Sequence, residues 1–146
     1  MITKMVHASF TVSDMDRSIK FYTDIMGMKL EFDMGASVGG PVCEAVTGCP
    51  GVEIRTAFLR IDGGILELVQ YSPAGKALEG NKPSDTGSAH VCFKTDNIQE
   101  FHQKLLKKGL TVVSEPQQVD EATWIMYFRD PDGIYLEAAQ GPTPVE

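Results

Sequence analysis

The hydrophobic pattern of this chain switches from a period of two to a period near 3.6 and back, and it does so twice. From Met5 to Phe10 the residues alternate: Met5, His7 and Ser9 share one side of a strand, and Val6, Ala8 and Phe10 the other. Asp14 then precedes a helical stripe of Met15, Ile19, Tyr22 and Met26, which Gly27 closes. The second half repeats the pattern. His90, Cys92 and Lys94 alternate with Val91 and Phe93, and Asp96 precedes a stripe of Ile98, Phe101, Leu105 and Leu106 ahead of Gly109. In both halves 13 positions separate the Asp from the Gly, which predicts an N-cap Asp, about three helical turns and a C′ glycine.

The halves also end alike. Asp62-Gly63 and Asp132-Gly133 each predict a tight turn, with Glu67 and Glu137 following at the same distance and then Gln70 and Gln140. Each half is therefore a strand, a helix and a set of strands ending in a hairpin, and pairing two such units would cover their apolar sheet faces. The first half spans 35 positions from Gly27 to Asp62, against 23 from Gly109 to Asp132 in the second. The surplus falls at Gly35 to Gly51, a Gly- and Pro-containing stretch that is either a surface excursion or a lid over a pocket. One domain over 1–146 is expected, with a first module at 3–71, a linker at 72–87, a second module at 88–140 and a tail of little order.

The chemistry lies on the less apolar strand faces. Ile65, Glu67 and Val69 share one face while Leu66 and Leu68 take the other, and Glu137 shares its face with Tyr135 and Ala139. The apolar faces belong to the helices, so His7, Glu67, His90 and Glu137 line the opposite, concave surface. A carboxylate within an apolar strand is costly unless paired. Two imidazoles and two carboxylates can satisfy one another only through protons or a cation. The donor set suits Zn, Ni, Co, Mn or Fe(II) rather than Ca. The alternative is a His–Glu hydrogen-bond network without metal.

Composition narrows the classes. The formal charge of −7, without a basic run, argues against nucleic acid. No apolar run approaches the about 18 to 20 residues that cross a bilayer, and Met1 to Met5 lack a secretory pattern, so a cytoplasmic location is expected. Cys43, Cys49 and Cys92 are an odd set without CxxC spacing and read as reduced thiols.

Four segments carry a resemblance: Asp14 to Tyr22, Gly27-Met28-Lys29-Leu30, Gly87-Ser88-Ala89-His90 and Phe128-Arg129-Asp130-Pro131-Asp132-Gly133. With them the chain resembles the vicinal oxygen chelate superfamily, the group of glyoxalase I, methylmalonyl-CoA epimerase, extradiol dioxygenases and bleomycin-resistance proteins. The resemblance implies an α+β fold of two paired βαβββ modules forming an open barrel around one metal, with His7, Glu67, His90 and Glu137 at the ligand positions. The His-Glu-His-Glu set looks like glyoxalase I. Methylmalonyl-CoA epimerases typically have Gln where Glu67 stands.

The implied activity is that of a divalent-metal-dependent lyase or isomerase, with Glu67 or Glu137 as base, acting on a small molecule with neighbouring oxygens. Zinc, nickel, cobalt or manganese stand ahead of iron as the metal, and a homodimer is expected. The rivals are an Fe(II) extradiol-type dioxygenase and a non-catalytic drug-binding protein. Lys94, Tyr135 and Met5, on ligand-bearing faces, are candidates for substrate contact. Arg55 and Arg60 are weighed for the same task against ordinary exposure, Arg129 is read as ordering its turn, and His102 as solvent-exposed on its helix.

Overall fold

The computed structural model describes residues 1–142. The chain divides into two units, Met1–Ala77 and the residues from Leu78 onward. The first contains β1 (Ala8–Thr11), α1 (Met15–Asp24), β2 (Lys29–Asp33), β3 (Val38–Gly39), α2 (Pro41–Thr47), β4 (Glu53–Ile61) and β5 (Gly64–Ser72). The second contains β6 (Val91–Lys94), α3 (Ile98–Lys107), β7 (Gln117–Gln118), β8 (Trp124–Arg129) and β9 (Tyr135–Gln140). Apart from β3 and α2, both read βαβββ. No helix among the described residues is long and apolar enough to cross a membrane.

The two sheets share one plan. Their orders are β1-β5-β4-β2, with β3 also on β4, and β6-β9-β8-β7. In each, the first strand lies parallel to the last, β1 on β5 and β6 on β9, while the other pairings are antiparallel. A parallel pair needs a crossover, which the helix supplies. Cross-strand pairs Ala57↔Leu68 and Leu59↔Leu66 form the face that α1 covers with Met15, Ser18, Phe21 and Tyr22. In the second unit Met126↔Ala138 and Phe128↔Leu136 form the equivalent face, and Ile98 and Leu105 of α3 are buried with them. Each buried Leu or Ile contributes roughly 1.5–3 kcal/mol. The alternation read from the sequence is thus the alternation of burial.

A glutamine fastens each helix to its sheet. Gln70 Oε1 accepts the backbone N–H of Met15, and Gln140 Oε1 that of Ile98, both at 2.8 Å. These are first-turn amides that the helix itself cannot satisfy. Asp14 caps α1 by accepting the Arg17 N–H. The second cap lies one residue later than expected: Asn97, not Asp96, accepts the Glu100 N–H. Glu100 stands three residues after Asn97, and its carboxylate also accepts from the Asn97 side-chain Nδ2 at 3.4 Å, which holds the capping side chain in place.

Other details differ from the sequence reading or add to it. His102 is buried rather than exposed, and Leu106 is exposed rather than core. On a helix His102 lies beside Ile98 and Leu105, whereas Leu106 has turned towards the rim. Val6 precedes β1 and is exposed, so it gains no cover from the helix side. The Gly35–Gly51 stretch contains β3 and α2; α2 buries none of its residues and exposes Val42 and Val46. Finally, only Asp62-Gly63 is a two-residue turn. Between β8 and β9 the loop has five residues, 130–134, held by Asp130 Oδ1 accepting the N–H groups of Asp132 and Ile134, each at 2.9 Å.

Arg55 on β4 donates two hydrogen bonds to Asp33 of β2, at 3.0 and 2.7 Å, and one to Asp16 of α1 at 2.8 Å. This cluster ties helix to sheet and accounts for Arg55 as a structural group.

Two predictions follow from these ties. Gln140→Ala and Gln70→Ala should each lower stability by about 0.5–2 kcal/mol, the usual range for a lost helix-start partner. Unshifted urea midpoints in both would show that the ties contribute nothing. The Arg55 hydrogen bond holds the Asp33 carboxyl below the usual carboxylate range. The unfolded chain therefore takes up the proton first as pH falls. The contribution of Asp33 is complete above about pH 4 and is lost as pH drops through its lower folded value. Asp33→Asn should flatten the stability profile below about pH 4, and a profile parallel to wild type there would refute this assignment.

Candidate functional site

Parallel pairing of the first and last strands brings a histidine to a glutamate in each unit. Ser9 pairs with Glu67 and Cys92 with Glu137, and the histidine stands two residues before Ser9 and Cys92, hence on the same side. His7 Nε2 lies 3.3 Å from Glu67 Oε2, and His90 Nε2 lies 3.0 Å from Glu137 Oε2. The carboxylates are mostly covered, with side-chain exposures of 17% and 16%, while the imidazoles reach 35% and 39%. Each pair is reached from solvent along its histidine.

A divalent cation fits this donor chemistry. In each pair a nitrogen that can present a lone pair faces a carboxylate oxygen, an arrangement that needs a proton on the ring or a cation shared between the atoms. Metal bonds of about 2.0–2.2 Å meeting at roughly 90–110° place neighbouring donors about 3.0–3.5 Å apart. The observed separations of 3.3 and 3.0 Å lie in that interval. Taken one unit at a time, the described residues bring no third His, Cys, Asp or Glu into either pair to make a metal-holding group. Cys92 is on the face that bears His90 and Glu137, but burial and the neighbouring Glu137 charge push its thiol up to about 11, so it stays protonated near neutrality.

The surroundings of the two pairs differ, a feature the sequence reading missed. Phe58 stands opposite Glu67 in the sheet, its ring 5.7 Å from that of His7 in an edge contact, with the half-exposed Phe32 at 6.2 Å on its other side. The equivalent position opposite Glu137 is Tyr127, whose ring lies 5.0 Å from that of His90. Its hydroxyl is 3.3 Å from His90 Nε2. Burial first, then the Glu137 charge, holds this phenol above its ordinary value, so it is a neutral donor.

The other candidates are distributed unevenly. Lys94 is exposed at the end of β6, in register with Ala139 and on the side of His90 and Cys92. Met5 is 86% exposed. Tyr135 is buried, and its hydroxyl is engaged: it donates to the Asn81 carbonyl at 3.0 Å and accepts from Arg129. Arg129 also lies over the Tyr135 ring and donates to the Gly133 and Asn81 carbonyls. Tyr135 is therefore fixed to Asn81 and Arg129, and Arg129, through the Gly133 carbonyl, orders the 130–134 loop as expected. Arg60 is open to solvent, 3.6 Å from Glu31.

A family model described as the Glyoxalase/Bleomycin resistance protein/Dioxygenase superfamily matches residues 4–138. The chain belongs to this superfamily. It is 29% identical over 92% of its length to a lactoylglutathione lyase of Schizosaccharomyces pombe, covering 46% of that protein. The chain thus spans about half of the yeast relative. A probable lactoylglutathione lyase of Synechocystis is 28% identical, with 93% of this chain and 94% of the relative covered. Among solved structures, a glyoxalase family protein from Bacillus cereus superposes with a TM-score of 0.85 at 24% identity, covering 98% of this chain and 97% of that one. The two βαβββ units are those of the vicinal oxygen chelate fold.

Proposed function

We propose that this protein is a divalent-metal-dependent lyase or isomerase of the glyoxalase type, which moves a proton next to a carbonyl group. The observation that carries the reading is the duplicated His–Glu pair, built in both units from the same strand register. His7, Glu67, His90 and Glu137 together would hold one cation, with zinc, nickel, cobalt or manganese suited to two imidazoles and two carboxylates. When bound, the cation supplies Lewis-acid stabilisation of negative charge on a substrate oxygen. The relatives named lactoylglutathione lyase support this class of chemistry.

The chain's own groups provide the proton transfer. One glutamate oxygen accepts the proton from the carbon beside the carbonyl as the C–H electron pair moves into the C–C bond and the carbonyl pair onto oxygen. The same carboxyl then returns the proton to the former carbonyl carbon while the hydroxyl proton of the first carbon passes to the alkoxide, so the first carbon becomes the carbonyl and nothing is oxidised or reduced overall. The second carboxylate and the two neutral imidazoles keep the site charge-balanced through the cycle. An iron dioxygenase of the two-His, one-carboxylate type would have no use for the fourth donor, and a sequestering protein would need none of the four.

Protein isolated without added metal should carry about one equivalent of nickel, zinc, cobalt or manganese, and His90→Ala should lose it. Thioester formation from the hemithioacetal of glutathione and an α-ketoaldehyde is the first activity to assay. Elemental analysis finding one equivalent of iron would favour the dioxygenase reading. Metal-free protein that gains no stability when cations are returned would leave a binding protein as the better description.

A further inference from the structure

Two of the free cysteines, Cys43 and Cys49, stand about one short helix of the first unit, outside its His–Glu pair. Cys43 lies within α2 and is half-buried, while Cys49 follows the helix end and is exposed. Cys92 belongs to β6 in the second unit.

The local fold turns Cys49 back towards Cys43. α2 stops at Gly48, which takes the left-handed conformation at φ 68° and donates its N–H to the Glu44 carbonyl at 2.8 Å. The residue after such a glycine folds back against the last turn of the helix, which here begins at Cys43. The Thr47 hydroxyl holds this arrangement. It donates to the Cys43 carbonyl at 2.8 Å and accepts the Cys49 N–H at 3.3 Å, so one oxygen atom joins the two backbones. The Cys49 thiol is aimed at the helix end, donating to the Thr47 carbonyl at 3.6 Å. Beyond it, Cys49-Pro50-Gly51-Val52 form a turn in which the Val52 N–H donates to the Cys49 carbonyl at 3.4 Å. Pro50 and the positive-φ Gly51 suit its central positions, and Val52 is buried, so Cys49 is fixed from both sides.

Packing does not hold α2. It has 7 residues, none of them buried, and it exposes Val42 and Val46. A helix this short is marginal in water without a covered face. A covalent bond across its end would supply the missing restraint.

We propose that Cys43 and Cys49 are a reversible dithiol, oxidised by a small disulfide of the glutathione type to an intramolecular disulfide that staples α2 to the turn behind it. The more exposed Cys49 sulfur attacks one sulfur of the oxidant, forming a mixed disulfide and releasing one thiol. The Cys43 sulfur then attacks the Cys49 sulfur, forming the protein disulfide and releasing the second thiol. Two electrons pass from the protein to the oxidant, and the two cysteine protons end on the two released thiols. The bond would lie at the surface, where disulfides exchange readily. This step is independent of the cation-holding reading, since neither thiol is one of its four donors.

The test equilibrates the whole protein with reduced and oxidised glutathione in varied ratio, then alkylates free thiols and digests with trypsin. No Lys or Arg stands between Lys29 and Arg55, so both cysteines fall in one peptide, Leu30 to Arg55. The expected product is that peptide without alkyl label and lighter by two hydrogen atoms. Cys43→Ser should stop at the mixed disulfide, carrying one glutathione on Cys49, and Cys92→Ser should behave as wild type. The intramolecular bond should be at least about 10-fold more favoured in the folded protein than in the urea-unfolded chain, because the helix end raises the effective concentration of one thiol at the other. On oxidation, hydrogen exchange at amides 44–48 should slow at least about 10-fold.

Wild-type protein that stops at glutathione on Cys49 would overturn the proposal, as would a link from Cys43 of one chain to Cys49 of another. A bond no more favoured in the folded protein than in the unfolded chain would also overturn it, and so would unchanged exchange at 44–48. These readouts use the wild-type chain, so none depends on whether a variant folds.

Discussion

The parallel contact between the first and last strands of each unit is the constraint on which the remaining geometry rests. It fixes Ser9 beside Glu67 and Cys92 beside Glu137, and so determines which histidine atom meets which carboxylate. A slip of one residue in that register would turn the glutamate away and bring a leucine towards the histidine. The glutamine tie holds against such a slip. Gln70 and Gln140, three residues beyond the glutamates, are engaged by the first helical amide, so the last strand is fixed lengthwise at the point where the helix begins. Helix position, strand register and donor pairing are in this way one coupled set.

Much of this was legible in the residues. Strands covered by a helix on one face alternate visibly, and Leu66, Leu68 and Leu136 against Glu67 and Glu137 showed which face was which. The repeat doubled the weight of every assignment, including the glutamines, whose spacing was visible although their bonding was not. The second cap and His102 were misread for local reasons: the acceptor paired with Glu100 is Asn97, and one further step around α3 separates His102 from Leu106.

The aromatic neighbours show where one-dimensional reading stops. Counting back across the two-residue turn at Asp62-Gly63 would have placed Phe58 opposite Glu67 correctly. The same count across a two-residue turn at Asp132-Gly133 would have set Phe128 opposite Glu137. The loop is longer, because Asp130 collects two amides and delays the start of β9, and Tyr127 takes the position instead. One loop residue more or less changes which side of the strand carries the hydroxyl. The ion cluster of Arg55 was equally invisible, since Asp16 and Asp33 come from elements that meet only in the folded unit.

The strand order has a consequence for a chain emerging from the ribosome. Among the described residues of its sheet β1 pairs with β5, so within the unit this early segment has no strand partner until Gly64 to Ser72 has been synthesised. Closing that long loop comes late, after the local helix and the β4–β5 hairpin have had time to form. His7 therefore waits through most of the unit's synthesis before it meets Glu67. A nascent chain presents isolated side chains to the metal ions of the cell, and the matched pair arises only with completion of the fold.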